Sequence, residues 1–338
     1  MTVAIDAMGG DDGPSTIVEG SVLAAKQGKA NIIHVGDQDV VETELSKHES
    51  ESLPITIVPS NGKIEDTEAP ALGLRQKPKA SIVVATHLVK SGKADAVVSM
   101  GSTGATMASA VVLLGTIHGI DRPAIGGPIV GSAPNQVILD LGSNLDCRPQ
   151  QLVGFGVLGS VFSKVLLKIS DPKIGLLSVG SEEGKGNTQI KEATELFKKS
   201  GLNFIGNVEG NDLVTGKADI VVCDGFVGNI VMKLTEGLGS EISKYLTESM
   251  KETIDSDIAA ALSREIFKVT NPAAAYGAGP LLGVNGISLV GHGRSKQNEI
   301  AGAIATAKRA VEVDFINQIQ KRLSKTLSTL TENEPDER

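Results

Sequence analysis

A succession of short apolar runs, nearly every one ending in a Gly-rich or acidic loop, constrains this chain more than any other feature. The runs are Val3 to Asp6, Asn31 to Gly36, Ile55 to Val58, Ala94 to Ser99, Val137 to Leu141, Ile174 to Val179, Ala218 to Cys223 and Ile287 to Val290. They are too short for buried helices and too continuously apolar for half-exposed strands, so they read as strands buried on both faces. Helical stretches fall between them: Ser15 to Gln27, Ala80 to Lys90, Gln150 to Lys168, Thr188 to Lys199 and Gly228 to Met250. Glu299 to Leu330 reads as one long helix. Alternating strands and helices imply an α/β fold with a three-layer, mainly parallel sheet.

The composition agrees. Hydrophobic residues make up 41% of the 338, but aromatic residues only 3% and Trp is absent, so the core must be Val, Ile, Leu and Ala. With no low-complexity linker, residues 1–330 are taken as a single catalytic domain, and the last residues, TENEPDER (331–338), as a disordered acidic tail. A net charge of −8, without a basic stripe interleaved with aromatic residues, argues against nucleic acid as a partner. Cys147 and Cys223 are the only cysteines and form neither a CxxC pair nor a disulfide framework. MTVAIDAMGGDDGP lacks the basic start of a secretory leader, and no run is long enough to span a membrane, so a cytoplasmic location is expected.

Parallel strands joined by right-handed crossovers put all their C-terminal ends on one rim, which is where open α/β sheets bind ligands. That rim would carry AMGGDDG, VGD, MGSTGATM, LGSNLDC, VGSEEGKGN, CDGFVGN and VGHG. GSTGATM (Gly101 to Met107) offers backbone amides that can cradle a phosphate, or else a tight turn with Ser102 or Thr103 capping the helical stretch Ala105 to Leu114. GSEEGKGN (Gly180 to Asn187) resembles a P-loop but is a residue short and has Gly186 where Ser or Thr would meet magnesium, so ATP use is not indicated. It still brings the Lys185 ammonium and the Asn187 amide to the rim. In DGFVGNIVMK (Asp224 to Lys233), Asn229 either caps a helix or presents its amide to a developing oxyanion. Asp140, Asn144 and Asp146 lack a metal-ligand spacing, and Cys223, in an apolar run, is expected to be inert. His292 is the rim imidazole, for proton transfer or a structural hydrogen bond. No GxSxG elbow supports an acyl-serine.

Taken together, IDAMGGDDGP, KADAVVSMGSTGATM, GIDRPAI, LDLGSNLDC, GNVEG, KADIVVCDGFVGNIVMK and GPLLGVNGISLVGHG closely resemble the bacterial phosphate acyltransferases of the PlsX type, in order and spacing from Val3 to the neighbourhood of Ala310. That resemblance implies a fold similar to isopropylmalate dehydrogenases and phosphotransacetylases. It implies transfer of a fatty acyl group from acyl-[acyl-carrier-protein] to inorganic phosphate, giving acyl phosphate for phospholipid synthesis, by a homodimer that needs neither metal nor organic cofactor. Lys185 and Asn229 carry over as catalytic. Asp6, Gly9, Gly10, Ser102, Thr103, Gly104, Asn144, Gly228 and His292 match positions lining the cleft, with Asn187 beside them. The chain departs from relatives at Ser102, where Asn is usual, at Ser143, where Ala is usual, and in residues 249–276, which look shorter and less basic.

Within residues 240–276, taken as a helical segment, Ile254, Ile258, Leu262 and Ile266 recur every four residues. They form a dimer contact, the preferred reading, or a surface for peripheral contact with the inner face of the membrane or a downstream glycerol-phosphate acyltransferase. An acidic carrier protein needs a local basic patch on this acidic chain, and Arg75, Lys77 and Lys79 are the candidates; a plain solvated loop is the alternative. Two other functions compete: a metal-dependent NAD dehydrogenase of similar fold, which the absence of GxGxxG disfavours, and a noncatalytic anion-binding scaffold.

Overall fold

The computed structural model describes residues 1–249, 253–271 and 277–332. By its contacts the chain falls into two compact units, Met1–His118 with Tyr276–Asn317, and Gly119–Ala275 with Gln318–Arg338. No change of composition marks the boundary at His118, which is why the sequence reading joined the two in one domain.

In the first unit, β1 (Thr2–Asp6), β2 (Asn31–Gly36), β3 (Ile55–Pro59) and β4 (Ala96–Ser99) are parallel, and β10 (Gly279–Leu282) and β11 (Ile287–Val290) join them in the order β3-β2-β1-β4-β11-β10. Only β10 runs antiparallel to its neighbour. Pairing of Asp6 with Ser99, and of Ser99 with Val290, sets the ends of β1, β4 and β11 at one level. Alternation along the strands sends Ala4, Val35 and Val97 to one face, against α4 (Ser81–Lys90), and Ala7, Ile55 and Ile57 to the other, against α1 (Gly13–Lys26) and α2 (Gln38–Leu45). The unit is therefore three-layered. Two short helices complete this part of the chain, α3 (Pro70–Gln76) and α5 (Thr103–Ser109), the latter widening into a π-helical turn over Ala110–Leu114.

In the second unit β5 (Ala124–Gly127), β6 (Val137–Leu139), β7 (Ile174–Leu177), β8 (Phe204–Val208) and β9 (Ile220–Val222) follow the order β5-β6-β9-β7-β8, with only β5 antiparallel. On one face, α6 (Pro149–Val165) lies so close that a Cβ on Gly159 would come 2.7 Å from Ile220 Cγ2; α7 (Thr188–Lys199) packs beside it. On the other, Ile138 and Val221 meet Val231 and Met232 of α8 (Gly225–Lys244).

Three differences from the sequence expectations have physical causes. The stretch Glu299 to Leu330 is two helices, α10 (Gln297–Glu312) and α11 (Phe315–Glu332), because Asp314 adopts φ 53° and its carboxylate accepts from Asn317 Nδ2. The helix expected from Gly228 begins at Gly225, because Asp224 caps it by accepting from the Val227 amide at 2.8 Å. The stripe at Ile258 and Leu262 lies on α9 (Ser256–Thr270), which Asp255 caps, so Ile254 precedes the helix. Of the segment 240–276, residues 250–252 and 272–276 lie outside the described residues, as do 333–338 of the expected tail. Among the described residues no helix is long and apolar enough to cross a membrane.

Candidate active site

Each unit gathers part of the expected site around a buried carboxylate at the end of a parallel strand. In the first unit this is Asp6, 3% exposed at the end of β1. Its Oδ2 accepts from Ser99 Oγ at 2.7 Å, and Ser99 Oγ in turn accepts from the Gly101 amide at 3.0 Å. Its Oδ1 accepts from the Met8 amide. Burial pushes the Asp6 carboxyl above its usual range, while the Ser99 hydroxyl and the Met8 and Gly9 amides pull it back down. Asp6 thus holds two loops together and does not face solvent. The loops meet so closely that a Cβ on Gly9 would stand 2.7 Å from the Gly101 nitrogen. Gly10, at φ 84°, turns the chain so that the Asp11 amide reaches the Gly293 carbonyl at 2.7 Å.

In the same unit Ser102 is the N-cap of α5, its hydroxyl accepting from Ala105 N at 3.4 Å, so the capping alternative describes GSTGATM. Thr103 is exposed in the first turn. A Cβ on Gly104 would come 2.7 Å from Pro70 Cγ, so packing against α3 explains this glycine without a ligand. His292 is exposed beyond β11, and its carbonyl accepts from Ser295 N. Of the basic trio, Arg75 and Lys79 are exposed, but the Lys77 ammonium is committed to Glu68 at 2.6 Å and to the Lys63 carbonyl at 3.1 Å.

The second unit is organised by Asp140, fully buried just past β6. Its Oδ1 accepts from Ile125 N at 3.0 Å, and its Oδ2 from both the amide and the Nδ2 of Asn144, at 2.6 and 3.0 Å. Burial raises this carboxyl too, opposed by those same hydrogen bonds. Asn144, also buried, donates to the Pro123 carbonyl, and its own carbonyl accepts from the Gly225 amide at 2.7 Å. The start of α8 is thereby pinned to the β6 loop. The fit leaves no room for side chains: a Cβ on Gly225 would stand 2.8 Å from Asp140 Oδ2, and one on Gly228 would fall on the Asp140 carbonyl oxygen. Asn229, the next residue, is exposed within the first turns of α8 and does not cap it. Its amide lies over Gly142, at φ 133°, where a Cβ would come 3.5 Å from Asn229 Oδ1.

Lys185 is exposed on the loop after β7. Gly180 leaves space for its stem, since a Cβ there would lie 2.9 Å from Lys185 Cγ. Asn207 Nδ2 on β8 holds the loop by its carbonyls, donating to Glu182 O at 3.0 Å and Lys185 O at 3.4 Å. Asn187 caps α7 by accepting from Ile190 N at 2.9 Å, so its side-chain oxygen is engaged. The thiols stay protonated: burial pushes Cys147 up to about 12 and Cys223 higher still. Sequence reasoning passed over Ser99 as an organiser in the first unit and, in the second, Asp140 as a clamp and Asn207, although all three lie within the quoted motifs.

The fold is one seen in solved phosphotransacetylases. The structure matches that of a Streptococcus pyogenes phosphotransacetylase with a TM-score of 0.64 and 22% identity, covering 92% of this chain and 94% of that one. It matches a putative 4-hydroxythreonine-4-phosphate dehydrogenase from Salmonella typhimurium with 0.55 and 13%, over 91% and 98%. The sequence is more specific. Residues 1–318 match the family described as "Fatty acid synthesis protein", and the chain belongs to that family. It is 44% identical to a phosphate acyltransferase of Pelotomaculum thermopropionicum, over 96% of this chain and 95% of the relative, and 41% identical to one of Trichodesmium erythraeum, over 95% and 96%. The resemblance read from the seven motifs is borne out.

A glycine replaced by alanine inside a helix ordinarily gains stability. Gly228→Ala reverses that sign: overpacking against the Asp140 carbonyl costs about 1–3 kcal/mol and displaces α8. Urea unfolding with an activity measurement checks it, and a variant as stable and active as wild type contradicts the packing account.

Proposed function

We propose that this chain transfers a fatty acyl group from an acyl-carrier-protein thioester to inorganic phosphate, yielding an acyl phosphate for phospholipid synthesis and the free carrier thiol. Its family supports acyl transfer to phosphate as the reaction class. The structural observation that carries the finer reading is the seating of α8: contact of Gly228 with Asp140 holds the Asn229 amide over the Gly142 turn, near the positive end of the helix.

In this reading a phosphate oxygen attacks the thioester carbonyl, the C–S bond breaks, and the proton of monohydrogen phosphate passes to the departing thiolate. Phosphate is already largely dianionic at neutral pH, so aiming it and stabilising the intermediate matter more than a strong base. Lys185, exposed on its tethered loop, neutralises the phosphate, and Asn229 donates to the carbonyl oxygen as it becomes an oxyanion. Asp6, Asp140 and Asn144 act through the loops they hold. Arg75 and Lys79 supply the carrier-docking charge, Lys77 being paired with Glu68.

Pairing of two copies through α8 is part of the same proposal. Phe226, Ile230, Leu234, Leu238 and Ile242 recur every four residues along α8 and are 47–59% exposed, with Ile258 and Leu262 of α9 exposed as well. The charged residues beside them, Lys233, Glu236, Glu241 and Lys244 on α8 and Asp257, Arg264, Glu265 and Lys268 on α9, carry no cationic excess to attract anionic lipid, which favours a second copy over a membrane.

Incubated with palmitoyl carrier protein and phosphate, the wild-type chain is expected to release carrier thiol and form acyl phosphate. Lys185→Ala and Asn229→Ala each lower the rate by about 10²–10³-fold. Arg75→Glu with Lys79→Glu raises KM for the carrier substrate and spares kcat. A folded wild-type protein that leaves verified acyl carrier intact would sink the reading. Light scattering tests the pairing: Leu234→Lys with Leu238→Lys should turn a dimer into a monomer, and an unchanged mass would place the contact elsewhere.

A further inference from the structure

The second unit carries a partly open cavity of about 310 Å³, apart from the residues assigned to the candidate site and lined in part by the GIDRPAI stretch. Ile120, Val153 and Val157 of α6, Leu196 of α7 and Leu323 of α11 form its apolar walls. The volume lies at the low end of the roughly 300–1,000 Å³ typical of small-molecule sites. Two cations, Arg122 and Lys199, line it. The one acidic residue of the lining, Asp121, is ion-paired with Arg148, and the positive charge offered to a ligand is that of Arg122. Apolar walls with a cation at the lining, beside the amides of Gln150 and Gln151, suit a linear amphiphile bearing a single anionic head.

The wall also leads directly into the clamp. Arg122 precedes Pro123, whose carbonyl accepts from Asn144 Nδ2 at 2.9 Å, and two residues on the Ile125 amide donates to Asp140. A ligand that displaces Ile120 and Arg122 therefore pulls on the backbone that Asn144 and Asp140 hold.

We propose that this cavity binds a medium-chain fatty acyl anion and that its occupation loosens or tightens the Asp140–Asn144 clamp. The choice of an acyl anion rests on the acyl-transfer reading, but binding is measured without turnover. Laurate, dodecylphosphonate and dodecanol, each below its aggregation limit, would be titrated calorimetrically into the full chain. The first two stand for the free acid and the acyl phosphate, and the tighter of them identifies the head; the alcohol should bind about tenfold more weakly. A Cβ on Gly154 would point at Ile120 Cδ1, 3.5 Å away, so Gly154→Met fills the space and should weaken both anions about tenfold or more. Arg122→Gln should weaken the anions and leave the alcohol unchanged. Thermal unfolding verifies both variants, and Val157→Phe replaces Gly154→Met if the latter does not fold.

Hydrogen exchange at the Asn144 and Gly225 amides reports the clamp, and saturation with the tighter anion should change it in wild type but not in the filled variant. Equal binding by wild type and variants, absence of binding by either anion, or unchanged exchange at saturation would overturn the proposal. If the binding pattern holds while acyl transfer is absent, the cavity assignment stands and the proposed reaction falls.

Discussion

The Asp140 carboxylate is fully buried, and the geometry of the second unit depends on how that burial is compensated. A charge removed from water is costly unless its lone pairs are met, and here Ile125 N and two donors of Asn144 meet them. Those donors come from different stretches of chain, so satisfying one side chain fixes β5 relative to the loop after β6. Asn144 then passes the constraint on through its carbonyl to Gly225, and α8 begins there. Every position in that chain of contacts is tight, which is why glycine occurs at 225 and 228. Asn229 owes its place over Gly142 to an interaction it does not itself make.

The first unit solves a similar problem in a similar way. Asp6 ends β1 as Asp140 follows β6, and Ser99 relays its acceptance to the Gly101 amide. Both carboxylates belong to the strand ends where parallel sheets leave amides and helix starts for a ligand. The acids serve as internal staples, while Asn229 and Lys185 in one unit and His292 in the other are exposed on the loops and helix starts beyond the strands.

How much of this was legible in the sequence depends on the kind of residue. Runs such as NIIHVG and ISLV are coextensive with β2 and β11, because their Ile and Val residues favour the extended chain and a buried sheet. AIGG, FIGNV and GPLL became β5, β8 and β10 unnoticed, since glycine and proline dilute the apolar signal and neighbouring strands decide their pairing. The candidate loops were found by their glycines, but the reasons for those glycines were not: Gly104 answers to Pro70 and Gly228 to a carbonyl, contacts that no local pattern encodes. Polar partners were harder still. Asn187 is a cap and Lys77 an ion-pair partner of Glu68, while Asn207, distant in sequence from Lys185, grips its loop. The apolar stripe was read on α9, whereas the longer exposed stripe runs along α8.

That Asp140 acts on the reaction by holding Asn229 is tested most directly by a double-mutant cycle on kcat/KM for phosphate, combining Asp140→Asn with Asn229→Ala, each protein shown to be folded. If the clamp works through the amide, Asp140→Asn slows wild type markedly but removes little more once Asn229 is gone, leaving a coupling of about 1–3 kcal/mol. Losses that simply add would mean that the two residues act independently, and the clamp would then be a feature of stability alone.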